Sequence, residues 1–471
     1  YFNKSIAYYT YLLGSSSNHT IVIKNDGTLY GCGQNDYGQL GLGYRTSSSE
    51  PPYGILTLTP ITLGIAGKIP VAVSGGRYHT VVLMSDGELY GCGQNDYGQL
   101  GLGAGGLGAD QYTLTLIPEI AGKIPVAVSG GQYYTLVLMS DGTLYGCGNN
   151  DYGQLGLGAG AVAVNQPTLT EITLIREFVD GDDELLSSKR PVALSCGWDH
   201  TIVLMSNGEL YGCGDNNSGQ LGLGAGSGYV NQPTLTRITL GIADKAPVVA
   251  VSAGAFHTLV LMSDGTLYGC GYIGYGQLGF GVAAFIVVPT LNPITLGIAD
   301  KAPVVAVSGG RNYTVVLMSD GTLYSCGRNT YGQLGLGTSG FGTDRSTLTL
   351  IPEIAGKTPV AVSGGYLHTI VLMSDGTLYG CGLNQYGQLG LGAGTGNPST
   401  LTQMIEIAGK TPVAVSCGSF HTLVLMSDGT LYGCGYNLYG QLGQGAGTGN
   451  QPTLTPITLG IAGKTPVAVS G

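Results

Sequence analysis

Six histidines occur in the chain, and each is followed by threonine: His19, His79, His200, His257, His368 and His421. A set of imidazoles could ligate a metal or shuttle protons. Here they all fill one slot of a repeated unit, and Tyr134 and Tyr313 fill it in the two remaining copies. A position that tyrosine can occupy holds a turn or bridges strands by hydrogen bonds. No histidine is left over for a Ser/His/Asp triad. Of ten cysteines, eight share another slot: Cys32, Cys92, Cys147, Cys213, Cys270, Cys326, Cys381 and Cys434. Zinc requires clustered ligands, and no Cys-x-x-Cys is present. The acidic run Asp180-Gly181-Asp182-Asp183-Glu184 lacks the spacing of a calcium loop and reads as solvated. No glycine-rich run ends as a phosphate-binding loop must, in Gly-Lys-Ser/Thr. The expectation is a protein without catalysis, metal or cofactor.

Elements must position even non-catalytic residues, and composition narrows which. Glycine supplies 84 of 471 residues, while only 18 are basic and 28 acidic. With 43% hydrophobic residues the chain is not disordered, since disorder needs low hydrophobicity and high charge. A net charge of −10 argues against nucleic acid, whose phosphates call for a basic surface. The longest apolar run, 282–288, is far too short to span a bilayer. No leader is read near the start, which is Tyr1 rather than Met.

The stretch Ser85-Asp86-Gly87-Glu88-Leu89-Tyr90-Gly91-Cys92-Gly93 returns eight times, marked by Gly27, Gly87, Gly142, Gly208, Gly265, Gly321, Gly376 and Gly429. The period is about 57 residues. Each unit reads as four strands. Val71-Ala72-Val73 is a short apolar run suited to a strand buried on both faces. His79–Met84 and Leu89–Cys92 flank an Asp-Gly pair, a strong hairpin signal. Thr113–Ile117 alternates with period two, as a half-exposed outer strand does. One four-stranded sheet cannot bury both faces; eight arranged radially can. The fold class is therefore all-β, a β-propeller of four-stranded antiparallel blades, eight blades in one domain spanning 1–471. Val467-Ala468-Val469 is expected to complete the first blade beside His19–Ile23; the alternative for that slot is the degenerate Tyr11-Leu12-Leu13. Equivalent positions on neighbouring blades lie ~10 Å apart, too far for a disulfide, and Cys196 and Cys417 fall on opposite blades. All ten cysteines are expected to be reduced, which favours an intracellular reducing compartment such as cytoplasm.

The sequence Gly-Gly-x-x-His-Thr, then Asp-Gly-x-Leu-Tyr, then Gly-x-Asn-x-Tyr-Gly-Gln-Leu-Gly resembles the regulator of chromosome condensation repeat, over nearly the whole chain. The resemblance implies a propeller, usually of seven blades, so eight is a departure. The family's usual tryptophan on the third strand is replaced by cysteine, as at Cys92. The family's best-known activity, guanine-nucleotide exchange on a small GTPase, is implied as the alternative function. Exchange members place acidic residues on the partner-facing rim, where this chain offers Asp199 alone.

Strand direction sorts the loops onto two faces. One carries the Asp-Gly hairpins and a lysine per repeat (Lys68, Lys123, Lys189, Lys245, Lys301, Lys357, Lys410, Lys464) and is expected to be neutralised and solvated. The other carries two residues before each His-Thr that vary while the rest is copied. They are Arg77-Tyr78, Gln132-Tyr133, Trp198-Asp199, Ala255-Phe256, Arg311-Asn312, Tyr366-Leu367 and Ser419-Phe420. Trp, Tyr and Arg dominate binding hot spots. These residues either bind a partner or plug the channel. An insertion at 178–190 separates repeats three and four. In repeat five Ile273 replaces the usual Asn, and 282–288 is either an apolar contact patch or an outer strand. The leading function is a non-enzymatic scaffold that binds a protein partner or self-assembles. The low charge and copied blades also suit a building block of a viral or surface assembly.

Overall fold

A computed structural model describes residues 18–24, 27–47, 53–61, 68–173, 190–224, 230–238, 246–282, 287–294, 302–445, 449–457 and 466–470, the last segment by its backbone. Eight four-stranded antiparallel sheets are present. Blade two shows the plan: inner strand Pro70–Gly75, second His79–Met84, third Leu89–Gly93 and outer Gln111–Leu116, hydrogen-bonded in that order. Blade one takes its inner strand from the far end of the chain, where Ile21, Val22 and Ile23 pair with Ser470, Val469 and Ala468. The alternative filler, Tyr11-Leu12-Leu13, lies outside the described residues.

The core lies between blades. One cluster joins Ile21, Ile23 and Leu29 of blade one to Val73, Val82 and Tyr90 of blade two. Another closes the ring, joining Val22 and Tyr30 to Leu423, Leu425 and Leu442. The second strands are buried along their whole length, with blade neighbours on both faces. At the glycine ending each third strand, a side chain is impossible. Gly93 has φ +103°, and a Cβ there would sit 2.4 Å from the Tyr78 carbonyl oxygen.

The inner strand departs from its expected double burial. A bulge between Pro70 and Ala72 leaves Val71 unpaired with Thr80–Met84 and 47% exposed. Val126, Val192, Val249, Val305, Val360 and Val413 repeat this bulge and exposure. A bulged residue is re-aimed away from the ladder, so apolar sequence alone overstated burial. In blade five, Val287 and Val288 begin the outer strand Val287–Pro293, while Val282 is exposed and 283–286 lie outside the described residues. Of the insertion 178–190, only residue 190 is described.

Candidate functional site

The variable face is built on a repeated hydrogen-bond relay. Thr135 Oγ1 donates to the Gln99 carbonyl of the preceding blade at 2.8 Å. Its single proton being used, Thr135 Oγ1 accepts from His79 Nε2–H at 3.0 Å. Blade two thus grips blade three twice. His19–Thr80, His200–Thr258 and His368–Thr422 repeat the contact. Burial pushes His79, His200 and His368 down to about 3, and His19, His257 and His421 to about 4. These neutral imidazoles are structural. Where tyrosine takes the slot, Tyr134 donates to the His200 carbonyl at 2.7 Å, and Tyr313 donates to that of His368. Among the described residues no group of three His, Cys, Asp or Glu side chains is arranged to hold a metal.

The Asn and Gln of the following loop fix its shape. Asn95 Oδ1 accepts from Leu100 N at 3.0 Å, and Gln99 Oε1 from Tyr97 N at 3.0 Å. Ile273, in the Asn slot of blade five, is instead 1% exposed and packs in the core with Leu278.

On this frame the varied residues converge. The Arg311 guanidinium lies 5.9 Å from the Trp198 ring and 4.7 Å from that of Tyr366. Trp198 belongs to blade four and Arg311 to blade six; the intervening blade has small Ala255 in the equivalent slot, so the arginine passes over it. Trp198 meets Phe256 edge-on at 5.1 Å, and Tyr366 meets Phe420 at 5.2 Å. Phe420 continues to Tyr386, 5.4 Å away, and Tyr386 to Tyr436, 4.9 Å away. On blades two and three, Tyr78 stacks with Tyr37 and Tyr133 with Tyr97, while Arg77 lies over Tyr78. The backbones are tied too: Arg77 N donates to the Gln132 carbonyl, and Gln132 N to that of Trp198. Asn312 is half-buried beside this set, but Leu367 is only 7% exposed and points no surface outward. Leu367 therefore leaves the candidate rim.

Burial, with Asp215 and Asp151 nearby, pushes Asp199 up to about 6. The expectation of a single rim acid is corrected here. Asp36, Asp96, Asp151 and Asp215 sit in the Asn-containing loops of blades one to four, on the same face. The corresponding loops of blades five, six and eight present Tyr272, Arg328 and Tyr436, while Leu383 of blade seven is buried. At these loop positions the carboxylates fall on blades one to four, while aromatic and arginine side chains stand on both halves of the face.

On the opposite face the described lysines are paired, while Lys189, Lys245, Lys301 and Lys464 lie outside the described residues. Lys68 pairs with Asp86 and Glu88, Lys123 with Asp141, Lys357 with Asp375 and Lys410 with Asp428.

A family model described as the RCC1-like domain matches residues 103–471, and the regulator of chromosome condensation repeat matches residues 26–83 and 71–99. The chain belongs to the regulator of chromosome condensation repeat family. Among its relatives, the ultraviolet-B receptor UVR8 of Arabidopsis thaliana is 31% identical, over 79% of this chain and 78% of the receptor. The Regulator of chromosome condensation of Mus musculus is 28% identical, over 84% of this chain and 90% of that protein. The E3 ubiquitin-protein ligase HERC2 of Homo sapiens is 32% identical over 76% of this chain, but the match covers only 7% of the ligase. In fold, human WBSCR16 is similar with a TM-score of 0.62 and 21% identity, over 87% of this chain and 98% of that one. Prp20p of Saccharomyces cerevisiae follows at 0.59 and 21%, over 78% and 85%. The viral building-block expectation finds no support among these family members. No helix among the described residues is long and apolar enough to cross a membrane.

Proposed function

We propose that this protein is a non-enzymatic binding ring that docks a protein partner on its variable face, centred on the Trp198–Arg311–Tyr366 cluster. The observation that carries this reading is the contrast between a copied frame and an uncopied surface. Every blade repeats the same threonine-to-glutamine bond, yet the residues above it differ from copy to copy, and Trp198, Arg311 and Tyr366 meet over the intervening blade. Aromatic rings beside a guanidinium supply large, rigid contact area of the kind that anchors interfaces. The test is affinity capture from the native source, followed by Trp198→Ala and Arg311→Ala in the binding assay. Loss of an anchoring aromatic costs about 2 kcal/mol or more, roughly thirtyfold in affinity. Unchanged affinity in both variants would overturn the reading.

The second reading is guanine-nucleotide exchange on a small GTPase. What favours it is the set of loop carboxylates on blades one to four together with family membership; the yeast relative Prp20p is described with its binding properties to Gsp1p and histones. Nucleotide release from a panel of small GTPases, with and without the protein, tests it directly. No acceleration in any of them removes it.

A further inference from the structure

Among the described residues, blades two and three share features with blades six and seven, pairs related by half a turn of the eightfold ring. Arg77 and Arg311 occupy equivalent slots, and Ile117-Pro118-Glu119-Ile120 recurs as Ile351-Pro352-Glu353-Ile354. Two features of this kind stand on opposite faces.

On the variable face, the loop after Tyr-Gly-Gln-Leu-Gly in blades two and six holds one large apolar side chain out in water. Leu107 is 99% exposed and Phe341 97%. Each is flanked by glycines in the left-handed region: Gly106 at +115° and Gly108 at +86°, Gly340 at +108° and Gly342 at +80°. The loops are rigidly tied. Asp110 Oδ1 accepts from Asn95 N at 3.0 Å, and Asp344 Oδ1 from Asn329 N at 2.8 Å.

On the opposite face, two clefts open between blades two and three and between blades six and seven. Their volumes are about 170 and 200 Å³, and equivalent residues line both. Ile117, Ile120 and Met139 form the apolar wall of one, Ile351, Ile354 and Met373 that of the other. The lysines at their mouths, Lys123 and Lys357, are already paired with Asp141 and Asp375. Glu119 and Glu353 also line the clefts, so the apolar fit is to the isoleucine and methionine wall. A cavity of ~150 Å³ accepts benzene, so each cleft takes one leucine or phenylalanine side chain.

We propose that the rings stack head to tail, Leu107 and Phe341 of one copy entering the two clefts of the next. The two described knobs and two described sockets share one half-turn relation on opposite faces of one body and are compatible in size, which commits the occupant to a second copy of this chain. Such a contact is heterologous and does not close on itself, so it propagates as an open stack. It does not depend on the rim cluster around Trp198, so each reading fails or stands separately.

The test is the mass of the full chain in solution as concentration rises, with electron microscopy of the products. Wild type should form oligomers whose size grows with concentration, as stacks with a one-ring repeat. Leu107→Asp with Phe341→Asp, at fully exposed positions, should weaken association about a hundredfold while leaving the Tm unchanged. Ile120→Lys with Ile354→Lys should do the same from the socket side; if that pair misfolds, the exposed Glu119→Arg with Glu353→Arg serves instead. Knobless and socketless chains, mixed in equal amounts, should recover one interface and stop at two rings. A wild type that stays monomeric to about 1 mM, knobless chains that still stack, or a mixture that stays unpaired would each overturn the proposal.

Discussion

Thr20 Oγ1 donates to the carbonyl oxygen of Gln441 at 2.9 Å, joining residues 421 positions apart. The bond is the same one that Thr80 makes to Gln39 at 2.8 Å inside the ring. Closure is therefore made by an ordinary blade-to-blade contact, with the far end of the chain supplying the inner strand. Thr20→Val keeps the shape and removes the donor. The buried carbonyl keeps only the weak Cys32 thiol as a side-chain donor, and the loss costs about 1 kcal/mol. Urea unfolding should show that loss for Thr20→Val and a similar one for Thr80→Val; an unchanged midpoint in both would mean that the relay does not hold the blades together.

The six buried histidines make stability fall in mild acid. Their pKa values are lowered by burial to about 3–4 from 6.5. The folded state keeps them neutral while the unfolded chain protonates them below pH 6.5. The stability they contribute is full above pH 6.5 and is lost progressively as pH falls toward the folded values. Unfolding at pH 5 should take up several protons, and His79→Tyr should remove about one of them. Because tyrosine fills the slot at Tyr134 and Tyr313, that variant should also fold. Proton uptake measured by calorimetry in two buffers checks both statements, and zero uptake at pH 5 would contradict them.

How much of this was legible in sequence follows from what repetition can and cannot encode. The blade plan, eight copies and the closing strand could be read because turn glycines, the His-Thr pair and the apolar strands recur at one spacing. The bulge at Val71 could not, because Pro-Val-Ala-Val has the same hydrophobicity whether Val71 pairs or turns out. The rim was half visible. Residues before His-Thr stood out by varying, and Trp198 and Arg311 do meet, but only coordinates show an arginine crossing a whole blade above Ala255. Asp36, Asp96, Asp151 and Asp215 were missed because each fits its own repeat as a loop former. Their grouping on one half appears only when blades are placed around a circle.

Asp199 should behave in the sense opposite to the histidines. Burial first, then Asp215 and Asp151, raises it to about 6 from 3.8. The folded state therefore binds this proton more tightly than the unfolded chain. Stability from this group is greatest below pH 3.8, declines as pH rises toward 6 and is flat above it. Asp199→Asn removes the ionised group and should stabilise the protein at pH 7.5 by about 1–2 kcal/mol, with partial exposure discounted. At pH 4 the same substitution should be near neutral. Urea unfolding at the two pH values checks the difference; a larger gain at pH 4 would refute the assignment.

The cysteines carry a sharper expectation than their apolar character suggests. Cys92, Cys147 and Cys213 each donate a thiol hydrogen at 3.4 Å to a glutamine carbonyl of the preceding blade, and Cys32 does so to Gln441 at 3.5 Å. Burial pushes Cys381 up to about 12 and Cys196 and Cys417 to about 11, the other repeated thiols being higher still. Since the thiolate is the reactive form, native thiols should resist an aromatic disulfide reagent at pH 8. Cys196 is the least buried of the ten and should react first. In denaturant without reductant the count should reach ten, because all ten are free. A count of eight or fewer would reveal a disulfide that the blade geometry forbids. Cys92→Ser, which preserves the donor, should be tolerated better than Cys92→Val, which overfills the slot and strands the Gln39 carbonyl with Thr80 as its remaining side-chain donor. Thermal unfolding of the two variants decides this, and equal melting temperatures would show that the sulfur is packing rather than bonding.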